Sequence, residues 1–140
     1  MKLTPHFTFD GQSEEALNFY SKVFNGNIVS LIRFSDMEGG CCGATELRPG
    51  DERRLLNGCL QFDGNELSFC DQMPGQSPVV GNNVMLDITL SDEVELRRVF
   101  DALCQGGKIL VPLAPQSWTA LYGLVADRYG ICWNVMQQWG

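Results

Sequence analysis

The chain opens the same strand-then-helix unit twice, and that internal duplication restricts its fold more than any other feature. Leu3-Thr4-Pro5-His6-Phe7-Thr8-Phe9 and Val84-Met85-Leu86-Asp87-Ile88-Thr89-Leu90 superpose at a shift of 81 residues, which lays Asp87 over His6. Both runs alternate apolar and polar residues with period two, the pattern of a half-buried strand. Phe7 and Phe9, or Ile88 and Leu90, share one face; His6 and Thr8, or Asp87 and Thr89, share the other. A helix is expected after each strand. Ser13 is the expected cap of the first, with Ala16, Phe19, Tyr20, Val23 and Phe24 at helical spacing and Asn25-Gly26 as its stop. Asp92 is the expected cap of the second, with Glu95 completing a box-like start, a stripe of Leu96, Val99, Phe100 and Leu103, and Gly106-Gly107 at its end.

Three more strand-like segments follow in each half. In the first they run from Asn27 to Phe34, Gly58 to Asp63 and Glu66 to Asp71, with Asp63-Gly64-Asn65 as a hairpin signal. In the second they run from Lys108 to Leu113, Thr119 to Ala126 and Ile131 to Gln137. The glycine-rich, charged stretch from Ser35 to Arg54 reads as a mobile loop. The order β-α-β-β-β, given twice, defines an α+β chain of two modules, 1–73 and 84–140, joined by a linker at 74–83 that is rich in glycine and proline. Strand parity puts Leu67 and Phe69, and likewise Ile131, Trp133 and Val135, on the helix side. Glu66, Ser68 and Cys70, and Cys132, Asn134 and Met136, fall on the opposite side. Two repeated polar faces imply two matching walls of one cleft, lined by His6 and Ser68 from one module and by Asp87 and Asn134 from the other.

The bulk properties narrow the partners. With 140 residues and 44% apolar content, the chain fits one domain or two half-size units. A net charge of −7 disfavours nucleic acid and anionic membrane surfaces, both of which need basic protein surface. No apolar run approaches the roughly 20 residues needed to span a bilayer, and the first residues carry no signal-peptide core, so a soluble cytoplasmic protein is expected. Six cysteines in that setting read as reduced thiols. Cys41-Cys42 reads as part of a loop, and Cys59, Cys70, Cys104 and Cys132 as small hydrophobes in apolar segments.

At this point the pattern resembles the vicinal oxygen chelate superfamily, which includes glyoxalase I, extradiol dioxygenases and bleomycin-resistance proteins. It is closest to the PhnB-like branch, over nearly the full length. The residues that carry the resemblance are Pro5-His6-Phe7-Thr8-Phe9-Asp10-Gly11, Glu15-Ala16-Leu17-Asn18-Phe19-Tyr20, Trp118-Thr119-Ala120-Leu121-Tyr122-Gly123 and Asp127-Arg128-Tyr129-Gly130-Ile131-Cys132-Trp133. Metal-using members of the superfamily take one ligand from the first and one from the last strand of each module. They use the ion as a Lewis acid on two vicinal substrate oxygens. The matching positions here hold His6, Ser68, Asp87 and Asn134. Only His6 and Asp87 are ordinary metal ligands, fewer than the three or four a tight site uses. Cys70 and Cys132, on the same faces, are weaker candidates to substitute as thiolate ligands.

The resemblance therefore implies a small-molecule binder with no tightly held metal. The alternative is a divalent-metal lyase, isomerase or dioxygenase-type enzyme in which His6 and Asp87 serve as catalytic residues and ligands. Ser68, Asn134, Thr8 and Thr89 are the candidate ligand-binding residues. Trp118, in a loop entering a strand, is a candidate wall of the cleft, whereas Tyr122 and Trp133 are expected in the core. Trp139 is a candidate cover for a subunit contact, and a homodimer is expected. Relatives of this branch are sometimes labelled demethylubiquinone methyltransferases, but the chain has no glycine-rich turn of the G-x-G-x-x-G kind to hold a nucleotide-like cofactor.

Overall fold

A computed structural model describes residues 1–36, 50–73 and 75–138. The Cys41-Cys42 pair and Trp139 lie outside them. The elements are β1 (His6–Phe9), α1 (Ser13–Val23), β2 (Asn27–Arg33), β3 (Leu55–Phe62), β4 (Asn65–Asp71), β5 (Met85–Leu90), α2 (Glu93–Cys104), β6 (Lys108–Gln116), β7 (Thr119–Ala126) and β8 (Cys132–Gln137). They divide into two compact units, Met1–Val79 and Val80–Gly140. Each unit holds one four-stranded mixed sheet, ordered β1-β4-β3-β2 in the first and β5-β8-β7-β6 in the second. This is the α+β, two-module architecture expected from the duplication.

In both sheets the first strand lies parallel to the last, and the other pairings are antiparallel. The β3–β4 hairpin turns at Asp63 and Gly64, both at positive φ (47° and 76°), as a two-residue loop matching the right-handed strand twist requires. β3 starts three residues earlier than the apolar pattern suggested, and β6 runs three residues further, through Pro112 and Pro115. An edge strand can carry those prolines because one of its sides needs no ladder donors.

The alternation in β1 holds. Phe7 and Phe9 are buried, and Phe7 packs edge-on to Phe69 (5.5 Å between centroids) and against Tyr20 of α1 (5.8 Å). In the second unit Leu96, Val99, Phe100 and Leu103 of α2 are buried with Val125, Trp133 and Val135 of the sheet. Each helix sits on a glycine in the third strand of its sheet. A Cβ on Gly58 would come within 3.0 Å of Leu17 Cδ2, and one on Gly123 within 2.7 Å of Phe100 Cε2.

Three local expectations are corrected. Ser13 does not cap α1; it is the first helical residue, its side chain is buried, and its hydroxyl has no hydrogen-bond partner. The buried Asp71 carboxylate takes over the cap, with Oδ1 accepting from the backbone N–H groups of Gly11 (2.9 Å) and Ser13 (3.1 Å) and Oδ2 from that of Leu55 (2.9 Å). An anion at a helix N-terminus also suits the helix dipole. Asp92 does cap α2, accepting from Val94 N–H at 3.0 Å, but Glu95 turns to Arg98 rather than back to the cap. The buried stripe of α1 uses Leu17 in place of Phe19 and Phe24, which are half-buried.

The stretch from Ser35 to Arg54 is ordered at both described ends. Short 3-10 turns form at Phe34–Asp36 and Asp51–Arg53, and Phe34 N–H donates to the Arg54 carbonyl. The Arg54 guanidinium then bridges Asp10 (2.8 Å) and Asp51 (3.1 Å). The loop reading missed these contacts because their acidic partners lie outside any periodic segment. Among the described residues, no helix is long and apolar enough to cross a membrane.

Candidate functional site

The face of the first sheet opposite α1 carries a continuous chain of hydrogen-bonded side chains. Parallel pairing of β1 with β4 sets His6 beside Ser68 and Thr8 beside Cys70. The His6 Nδ1 lies 3.1 Å from Ser68 Oγ, and its Nε2 lies 3.1 Å from Cys70 Sγ. Ser68 in turn donates to Asn57 Oδ1 on β3 (3.3 Å), and Thr8 Oγ1 is 3.6 Å from the Cys70 sulfur.

The directions of these bonds follow from the inventory of hydrogens. A serine hydroxyl has one proton, and Ser68 gives it to Asn57, so its oxygen accepts from His6 and Nδ1 carries the ring hydrogen. In the neutral ring Nε2 is then the lone-pair nitrogen and accepts the Cys70 S–H. With that proton engaged, the Thr8 hydroxyl donates to the sulfur. The chain runs one way, from Thr8 through Cys70, His6 and Ser68 to Asn57.

Beside it, Lys2 pairs with Glu66 at 2.8 Å, and Gln61 donates to the same carboxylate at 3.0 Å. The Lys2 and Gln61 hydrogen bonds hold the Glu66 carboxyl below its ordinary range, while the Glu66 hydrogen bond raises Lys2. Cys59 shares this face with Asn57. Burial pushes its thiol up, and its contact with Glu66 adds to the shift.

The second sheet carries a shorter chain of different chemistry on the face opposite α2. Parallel pairing of β5 with β8 sets Asp87 beside Asn134. Asn134 Nδ2 donates to Asp87 Oδ1 at 2.9 Å and lies 3.6 Å from the Met85 sulfur. Its Oδ1 accepts from the Tyr122 hydroxyl at 2.5 Å. Tyr122 is thus not a core residue. It is half-buried on the polar face, where the Trp118 ring packs edge-on against it at 4.7 Å. Trp118 is itself 51% exposed. Thr89 stands exposed beside Asp87 on the same face, and Trp133 is buried as expected, its indole N–H donating to Asp127 Oδ2 at 2.8 Å.

Within each module the structure brings the two sequence-derived positions together, His6 with Ser68 and Asp87 with Asn134. Sequence reading missed Asn57, because β3 was expected to begin at Gly58. It missed Tyr122, because an aromatic next to a glycine reads as core, although alternation with the buried Leu121 and Gly123 turns it outward. It misjudged Cys70, a hydrogen-bonded thiol rather than a small hydrophobe. Cys132 is buried.

A divalent ion, the alternative that the superfamily resemblance leaves open, meets a weak donor set. At the four matching positions each module offers one strong ligand, His6 or Asp87. His6 has both ring nitrogens engaged by Ser68 and Cys70, and Asp87 shares an oxygen with the Asn134 amide. Among the described residues, no group of three or more His, Cys, Asp or Glu side chains is placed to hold a metal. Tight sites use three or four such ligands, and these residues do not fit one.

These two-module sheets, each with its polar face opposite a helix, define an α+β glyoxalase-like fold. A glyoxylase/bleomycin resistance protein/dioxygenase domain from Frankia sp. EAN1pec has the same fold, with a TM-score of 0.68 at 10% identity over 99% of this chain and 98% of that one. Residues 1–136 match the family model described as 3-demethylubiquinone-9 3-methyltransferase, and the chain belongs to that family. It is similar to Protein YjdN of Escherichia coli, with 27% identity over 99% of this chain and 97% of the relative. It is also similar in structure to the PhnB protein from Bacillus cereus, with a TM-score of 0.77 and 28% identity over 99% of this chain and 100% of that one.

Proposed function

We propose that the chain binds a small molecule through the polar strand faces of its modules, without a tightly held metal. The observation that carries this reading is the pair of hydrogen-bonded side-chain chains on the two faces opposite the helices. One is centred on an imidazole and a thiol, the other on an amide between a carboxylate and a phenol. Sheet faces with no binding role have little reason to carry ordered polar networks, since each member loses rotamer freedom in forming one. Trp118 and Tyr122 add apolar surface next to the polar groups, the usual composition of a small-molecule site. Methyl transfer is not part of this reading, because the sequence has no glycine-rich cofactor turn.

The test is a thermal-shift screen of the purified protein against a chemically diverse small-molecule panel, repeated with a chelator. The expected result is stabilisation by one or a few compounds that persists with chelator and is lost in Asn134→Leu. Stabilisation by none, or only by compounds whose effect the chelator abolishes, contradicts the proposal. We also propose that the protein acts in the cytoplasm as a homodimer. Its edge strand β2 exposes Ile28, Val29, Leu31 and Ile32, an apolar edge that a second copy would cover. Light scattering should then give twice the chain mass, falling to the monomer in Val29→Lys.

A further inference from the structure

We propose that Cys70 is a base-activated nucleophile and that the first module's polar face covalently captures small molecules bearing a soft electrophilic carbon, α,β-unsaturated carbonyl compounds above all. The inference rests on the small-molecule reading of that face and adds a reaction to it. Three observations on one strand pair carry it. The sulfur is within hydrogen-bond reach of an imidazole nitrogen, at 3.1 Å. That imidazole is oriented from its far side by a third group, Ser68, which is itself held by Asn57. A nucleophile, a base and an orienting group in sequence are the signature of an activated side chain. The third observation is the Thr8 hydroxyl, whose Oγ1 stands 3.6 Å from the sulfur. Cys70 is half-buried rather than sealed in the core.

The chemistry closes on the atoms present. Nε2 of His6, the lone-pair nitrogen, takes the proton from Sγ as sulfur bonds to the β-carbon of the unsaturated compound. The carbon–carbon π pair moves to the carbonyl, giving an enolate. Nε2–H then returns its proton to the α-carbon. No leaving group, oxidant or reductant is needed, which is why this class suits the site better than one requiring a second reagent. Ser68 accepts from Nδ1–H throughout and stabilises the imidazolium formed in between.

Acrylamide, a small neutral member of the class, provides the probe, with the adduct rate at each cysteine read by peptide mass spectrometry at neutral pH. Cys59 and Cys104 serve as internal references, since burial pushes both thiols up. Cys70 should react at least about tenfold faster than either, and His6→Gln should remove about that advantage while leaving Cys59 and Cys104 unchanged. Ser68→Ala and Thr8→Val should each slow Cys70 by a smaller factor. A Cys70 rate no higher than that of Cys59, or one unchanged by His6→Gln, overturns the proposal. If the buried Cys132 becomes reactive in His6→Gln, the fold has loosened and Ser68→Ala decides: slower Cys70 supports the relay, an unchanged rate overturns it. Failure here leaves reversible binding standing, because the thermal-shift screen reads that separately in Cys70→Ala protein.

Discussion

The two modules share a backbone plan and differ in nearly everything placed on its polar side. Both set a parallel first and last strand beside each other, both rest a helix on a glycine of the third strand, and both bury one carboxylate that accepts three N–H bonds. On the polar face, the first module joins a thiol, an imidazole and a hydroxyl; the second joins a carboxylate, an amide and a phenol. The scaffold positions answer to packing, which a duplicated sheet imposes equally on both copies. The polar-face positions answer to nothing in the fold, so they are free to differ. On the proposed function, the difference separates residues that hold the structure from residues available to a ligand.

The largest expected effect tests the scaffold side of that division. Asp71 joins the β1–α1 turn, the start of α1 and the start of β3, three segments far apart in sequence. Asp127 joins the backbone of Tyr129 and Ile131, within its own turn, to the Trp133 indole. Removing either carboxylate strands buried donors, but Asp71→Ala also releases a helix end. It should cost about 3–5 kcal/mol against about 2–3 kcal/mol for Asp127→Ala, read by urea denaturation. Equal losses would mean that the two carboxylates do the same work.

The helix-bearing glycines sharpen the comparison. A methyl at Gly123 meets the edge of the Phe100 ring at 2.7 Å and Leu113 at 3.0 Å, whereas one at Gly58 meets the flexible end of Leu17 at 3.0 Å. Gly123→Ala should therefore cost about 1–3 kcal/mol and Gly58→Ala clearly less, because a leucine tip gives way and a packed ring does not. The caps come next. Asp92→Ala should lose about 1 kcal/mol, as a side-chain cap does, while Ser13→Ala should lose nothing or gain slightly by removing a buried hydroxyl with no partner. A loss of about 1 kcal/mol at Ser13 would restore it as a cap.

The smallest effect is on pH. Hydrogen bonds from Arg54 and Ser77 hold the Asp10 carboxyl below its ordinary 3.8. A folded-state value below the unfolded one stabilises the fold above the unfolded value, and this is lost as pH falls through the folded value. The melting-temperature gap between wild type and Asp10→Asn should thus be open at pH about 5 and close as pH falls below 3.8. A gap that widens on acidification reverses the sign of the coupling.

Much of this was legible in the residues alone. Period-two alternation around Phe7 and Ile88, and the helical stripe of α2, follow from burial of one face and survive any detail of packing. His6 with Ser68 and Asp87 with Asn134 could be paired from parity and the repeat shift. The tertiary polar contacts were not legible. Asp71 reads as the end of a strand, and nothing local says that its carboxylate reaches the start of α1 and the start of β3. Ser13 has the chemistry of a cap, yet the Asp71 carboxylate from another strand already occupies that role. The Cys70–His6 contact needed the parallel β1–β4 register and side-chain directions, since alternation gives only the face on which a residue lies.

The central claim is that the polar faces, and not the helix-covered ones, receive a small molecule. Its most direct test is a fragment screen followed by side-chain NMR of the His6 imidazole and the Asn134 and Asn57 carboxamides. Binding fragments should shift these resonances while Phe100 and Tyr20, on the buried faces of the helices, stay in place. Fragments that bind with those polar signals unmoved, or that perturb the helix side instead, would contradict it.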